Sequence, residues 1–300
     1  MSLPADAADC PRTPMSSPRS SSPGHPTRRP RWALALLLAA VLAGPLGAHG
    51  DDQRVLELLT AELARAPDAD LYLRRGELHR HLRDWERAEA DYAAAARLAP
   101  ELALVAYFRA RARLEAGDPA GALPAIDRFL AAEPGSPEGW FLRAEIHAAA
   151  GRTAAAAVDC ARGIEQAPEP RPEHYLRHAR LLAGGGDRPA ALAALDAGLA
   201  RLGPVVSLVE QALTLELERG APDAALRRID AALAAAPRRE GWLYRRGEVL
   251  ERAGRSAEAH TAYAEGLATL QALPERLRDT VPMEKLELDL RRALGRVTPP

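Results

Sequence analysis

Between residues 69 and 273 the apolar positions recur at two spacings, three or four residues within a stretch and 34 residues between stretches. The short spacing lines one face of a helix, and the long one marks a structural unit that is copied along the chain. The twentieth place of each unit reads Ala88, Ala122, Ala156, Ala191, Ala225 and Ala259, and the twenty-fourth reads Tyr92, Ile126, Cys160, Leu195, Ile229 and Tyr263. The fifteenth reads Gly117, Gly151, Gly186, Gly220 and Gly254, with Arg83 in the first unit. Five glycines in six places has odds on the order of one in 100,000 by chance, so the period is not an accident of composition.

Each column has a physical reason. A glycine ends the first helix of a unit where the backbone must turn left-handed. Asp118-Pro119 and Pro222 fit the start of a second helix, where proline costs little, and Pro100, Pro134, Pro168 and Pro237 close units. Alanine at the twentieth place lets two helices cross closely, and the twenty-fourth place supplies core. The units are 69–102, 103–136, 137–170, 172–205, 206–239 and 240–273, with Arg171 as one extra linker residue. Before them, Asp51 and Asp52 are placed to cap a helix over 51–67 that carries Val55, Leu58, Leu59, Ala61 and Leu63 and covers the first unit. After them, over 274–300, the pattern breaks, and a helix from Pro282 with Leu286, Leu290 and Leu294 on one face closes the stack. Strict alternation over β-branched runs is absent, so the class is all-α.

A 34-residue period of paired helices resembles the tetratricopeptide repeat, over about two thirds of the chain. The resemblance implies a right-handed superhelical solenoid of six helix hairpins between capping helices, working as a protein-interaction module. The fifth unit departs from the family pattern, with Val209 and Leu213 where an aromatic and a small residue are usual.

Composition narrows the partner. The net charge of −1 falls to about −4 once the first 50 residues, with five arginines and two aspartates, are set aside. That is not the clustered basic surface of a nucleic-acid binder, and no nucleic-acid partner is expected. Lys285 is the only lysine, and Cys10 and Cys160 are the only cysteines. Residues 1–50 read as a secretory leader: Arg28, Arg29 and Arg31, an apolar run at 32–43, the breakers Gly44 and Pro45, then Ala48 and Gly50 at small-residue cleavage sites. Met15 would give a shorter leader. The 17 residues of 32–48 also reach the lower limit for a membrane span, so an uncleaved anchor is the alternative, and with it the sole contact with a membrane. The expectation is export to the periplasm or cell envelope of a bacterium.

Candidate chemistry is sparse. His174 and His178 have the i, i+4 spacing that can bring two imidazoles to one metal, as do Glu77 and His81 for a mixed pair, but no third ligand accompanies either. His49 would hold copper only if cleavage made it the amino terminus. Gly184-Gly185-Gly186 lacks the Gly-Lys-Ser/Thr of a phosphate loop and reads as a helix turn. Cys160 lies in the core column, and Ser136, Ser207 and Ser256 stand in no nucleophile motif. No enzyme, catalytic residue, metal or cofactor is expected. Arg75, Arg109, Arg143 and Arg246 at the seventh place, with Asp91 and Asp159 at the twenty-third, read as pairs joining the helices of a unit rather than a row of ligand-binding arginines.

In proteins similar to this one the first helices line a groove, through places 2, 5, 6, 9, 12 and 13. Carried onto this chain, the resemblance implies a partner-binding groove containing Arg74, Glu77, Tyr107, Arg111, Phe141, Glu145, Arg177, Arg180, Glu210, Tyr244 and Glu248, with Leu73, Phe108 and Arg245 beside them. Aromatic and arginine side chains are what interface hot spots favour. The lysine and asparagine of the family's carboxylate-clamp subset do not occur at these places, so its specificity does not carry over. The resulting expectation is a non-enzymatic envelope scaffold that takes a protein or peptide in its groove. The alternatives are a structural subunit using its opposite, convex face and a metal-dependent activity at the histidines.

Overall fold

The computed structural model describes residues 49–297, with side chains from Asp52 onward, and every regular element among them is a helix. The leader expected over 1–50 lies outside the described residues, apart from His49 and Gly50, which belong to the first helix. That helix, α1, runs His49–Arg65. Asp51 and Asp52 therefore lie within the helix instead of ahead of it.

Six hairpins follow: α2 (Ala69–His81) with α3 (Trp85–Leu98), α4 (Ala103–Glu115) with α5 (Pro119–Ala132), and α6 (Pro137–Ala149) with α7 (Thr153–Gln166). The next three are α8 (Pro172–Gly184) with α9 (Arg188–Leu202), α10 (Val206–Glu218) with α11 (Pro222–Ala235), and α12 (Glu240–Arg252) with α13 (Ser256–Gln271). The short α14 (Glu275–Arg278) and then α15 (Val281–Arg296) end the described chain. No helix among the described residues is long and apolar enough to cross a membrane.

Local chemistry sets the helix ends. Asp68, Asp84, Asp118, Ser136 and Asp187 each accept a hydrogen bond from the backbone N–H three residues on, the N-cap arrangement. Every turn inside a hairpin is closed by the same bond, from the N–H of Asp84, Asp118, Arg152, Asp187, Ala221 or Arg255 to the carbonyl five residues earlier, at 2.8 to 3.0 Å. Such a turn needs a left-handed residue: the five column glycines adopt φ between +72° and +88°, and Arg83 takes +60° in the first unit.

Side-chain columns then stack the hairpins. All six alanines of the twentieth place and all six residues of the twenty-fourth are fully buried. Each second helix packs on its own first helix and on the first helix of the next hairpin. The fifth unit keeps this packing with Val209 in place of an aromatic and the larger Leu213 in place of a small residue, both of them buried. At the far end α15 packs on α13, with Leu290 and Ala293 fully buried and Leu286 and Leu294 half-buried beside them. The near end is looser. Leu63 of α1 is buried, Leu56 and Leu59 are half-buried, and a cleft of ≈ 650 Å³ opens between α1 and the first hairpin.

Candidate partner-binding face

The first helices place the predicted groove residues in three different situations. Arg74, Glu145 and Arg180 are exposed, while Tyr107, Arg111, Phe141, Arg177, Glu210, Tyr244 and Glu248 are half-buried. Glu77 is not on an open face. It is only 3% exposed, accepts a 2.6 Å hydrogen bond from the Tyr92 hydroxyl, and is gripped by the Arg80 guanidinium at 3.0 and 3.1 Å. The buried tyrosine at the twenty-fourth place draws this carboxylate inward, which a count of repeat places does not foresee. Leu73 and Phe108 are likewise buried among their neighbours.

The half-buried aromatics are braced from behind. Tyr107 lies edge-on to Phe108 at 5.7 Å and against Phe129 at 5.2 Å, and Tyr244 packs on Tyr263 at 5.8 Å. Burial raises the hydroxyl pKa of both Tyr107 and Tyr244, so they remain neutral donors across the working pH range. Phe141 packs on the imidazole of His174 with ring centres 4.2 Å apart. A ring already held on one side loses little freedom when a partner covers the other.

Charges on the same face are mostly paired from one unit to the next. Arg177 reaches Glu145 of the preceding unit; Arg245 bonds Glu210 at 3.0 Å and Glu248 at 2.8 Å. Arg111 meets Glu115 at 3.3 Å, and Glu115 also takes Arg80 of the unit before at 2.5 Å. Exposed pairs of this kind contribute little to stability, but they neutralise the face. Among the described residues, Arg74 and Arg180 are the arginines of the predicted set that no carboxylate engages.

The arginines of the seventh place turn toward the second helices. Arg75 grips Asp91 with two hydrogen bonds of 2.9 and 2.6 Å, and Arg143 grips Asp159 with two of 2.8 Å. Both aspartates are buried, so these are the intra-unit pairs the spacing predicts. Arg109 and Arg246, whose units lack that aspartate, reach back to Glu89 and Asp230 of the preceding unit. Two features went unread in the sequence. His79 and His147, at the eleventh place, stand 3.9 and 3.6 Å from Asp91 and Asp159. The fifth unit inverts the polarity: Glu216 at the eleventh place pairs with Arg228 at the twenty-third, and Arg228 also holds Asp196 of the fourth unit. Acid and base at those two columns were the available signal.

The residues weighed for chemistry have other employment. The His174 ring accepts the Arg171 N–H at 3.2 Å through Nδ1 and closes the start of α8. His178 is half-buried, and burial lowers its pKa. His81 lies 3.2 Å from the Arg80 guanidinium. Among the described residues no three His, Cys, Asp or Glu side chains are grouped to hold a metal. Burial pushes the Cys160 thiol up to about 11, far from the range of a reactive thiolate. Gly186 forms the left-handed turn between α8 and α9.

Comparison with family models agrees with the repeat. A tetratricopeptide repeat family model matches residues 107–170 and 211–274. Similar solved structures include a tetratricopeptide repeat protein from Parabacteroides merdae ATCC 43184, at 16% identity and a TM-score of 0.48 over 87% of this chain and 99% of that one. MamA from Desulfovibrio magneticus RS-1 is 14% identical, with a TM-score of 0.46 over 55% and 90% of the two chains. PilW, a widely conserved type IV pilus biogenesis factor, is 16% identical, with a TM-score of 0.42 over 73% and 97%. A comparison with curated proteins finds no match. Six stacked helix hairpins on a 34-residue period, with the repeat model matched in two blocks, give this chain the tetratricopeptide repeat fold.

Proposed function

We propose that the chain is a non-enzymatic scaffold of the bacterial cell envelope that binds a protein partner along the face formed by its first helices. The observation that carries this reading is the set of Tyr107, Tyr244, Arg74 and Arg180: two aromatic rings braced from behind and two arginines left without a carboxylate. Aromatic anchors and unpaired guanidinium groups are what a partner's apolar and acidic side chains engage. Arg177, once a candidate for that task, is occupied by Glu145 and serves the face mainly by joining two units. The apolar run at 32–43 behind Arg28, Arg29 and Arg31 supports export.

The test compares two double variants with the same change of charge in affinity capture from the envelope fraction. Arg74→Glu with Arg180→Glu alters the first-helix face. Arg97→Glu with Arg128→Glu alters exposed sites on α3 and α5, two second helices. The first pair is expected to lose the partner and the second to keep it. The opposite outcome would favour the reading in which the chain is held in a larger complex through its other face.

A further inference from the structure

We propose that two copies of this chain pair through the outer stripe of α1, side by side and antiparallel about a two-fold axis at Leu58. Helix α1 takes the place of a second helix, since it precedes α2 as α3 precedes α4 and ends before Pro67 as α3 ends before Pro100. Among the described residues it has no first helix of its own. In the six hairpins the twentieth and twenty-fourth places of the second helix are all fully buried, as at Ala88 and Tyr92. On α1 the inward stripe is Leu56, Leu59 and Leu63, and a second apolar stripe is left in solvent, with Val55 45% and Leu58 59% exposed.

The order of residues along that outer stripe identifies what can cover it. Arg54, Val55, Leu58, Ala61, Glu62 and Arg65 are all exposed and recur at spacings of three and four, so they share one face over about three turns. An antiparallel copy centred on Leu58 sets residue 58 + k opposite 58 − k. Leu58 then meets Leu58, Val55 meets Ala61, and Arg54 meets Glu62, each of the last two pairs occurring twice. No other described residue engages Arg54 or Glu62 in an ion pair. Apolar residues at the axis and opposite charges flanking them are the pattern of a self-complementary helix contact. A parallel copy would instead face Arg54 with Arg54 and Glu62 with Glu62.

Three turns of helix on each copy fall short of the roughly 1,200 Å² at which stable interfaces begin, so the pairing is weak and is read at high protein concentration. Sedimentation velocity of the full chain from micromolar to submillimolar concentration is the experiment, with circular dichroism to confirm that each variant keeps its helix content. Wild type is expected to dimerise with concentration, and Leu58→Glu to remain monomeric. Arg54→Glu and Glu62→Arg, each setting like charges opposite, should weaken pairing roughly tenfold or more. The double variant should pair as wild type does. An equal mixture of the two single variants should form a heterodimer, because each supplies the charges the other lacks. A wild-type chain that stays monomeric throughout, which would leave the stripe to another protein, overturns the proposal. So does association indifferent to these charges, as the apolar run at 32–43 would produce, or a double variant that fails to recover.

Discussion

The ring of Tyr92 fills the space where a side chain on Gly76 would begin: a Cβ there would lie 2.7 Å from Tyr92 Cε1. The eighth and twenty-fourth places thus divide one volume between them. Glycine accompanies tyrosine in the first and sixth units, and alanine accompanies Ile126, Cys160 and Leu195 in the second to fourth. The fully buried Ala110, close to Ile126 in the same cluster, shows the intermediate case.

Gly76→Ala is therefore expected to destabilise the chain by about 1–3 kcal/mol through overpacking. Tyr92→Leu alone opens a cavity and releases Glu77 from its hydrogen bond. The two together should cost less than their sum, as Ala179 beside Leu195 is already tolerated. Urea unfolding of the four chains of this cycle measures the coupling; strict additivity would show that the two places do not share a volume.

Arg83 supplies a second prediction. It is exposed and holds the left-handed turn that glycine holds in the other five units. Arg83→Gly should stabilise the first hairpin by up to about 1 kcal/mol, the relief of a left-handed side chain exceeding the added freedom of the unfolded chain. An unchanged or lower urea midpoint would mean that the Arg83 side chain contributes what its backbone costs.

The paired arginines predict a larger effect. Arg143→Met leaves Asp159, 4% exposed, without its two-bonded partner and frees Asp127 on the preceding unit. A loss of about 2–4 kcal/mol is expected, most of it the cost of a buried carboxylate left unpaired. Arg143→Met with Asp159→Asn should recover part of it, because the uncompensated charge is then gone. The readout is again the unfolding midpoint.

Stability should fall with mild acid. His79, His174 and His178 all have lowered pKa values, with burial as the leading cause. In the unfolded chain they take up protons near pH 6.5, and in the fold only at lower pH, so the unfolded state binds more protons in between. Their contribution is complete above about pH 6.5 and is lost as pH falls toward the lowered values. The melting temperature should drop between pH 7.5 and 5.5, and His178→Gln should flatten that drop. A profile with the same slope in the variant would assign the sensitivity elsewhere.

The fold was legible because it rests on columns. Alanine at the twentieth place, the apolar twenty-fourth and the left-handed fifteenth each repeat at 34, and their reasons are local, as was the grip of Arg143 on Asp159 within one unit. What escaped reading depends on reach between units, on one side chain displacing another, or on a pair whose charges are exchanged between helices. Glu77 holds a groove place by count, yet Tyr92 and Arg80 take it into the core. Arg177 has the right charge for a ligand, yet Glu145 lies one unit back within its reach. The pair of Glu216 and Arg228 joins the eleventh and twenty-third places, with the acid now on the first helix, so a search for arginine at the seventh place misses it.

The most direct test of the first-helix face is hydroxyl-radical footprinting of the purified chain with and without its captured partner. The account predicts protection at Tyr107, Phe141 and Tyr244, with Leu98 and Val158, 50% and 62% exposed on the second helices, reacting as before. Protection confined to Leu98 and Val158, with the three rings unchanged, would contradict it.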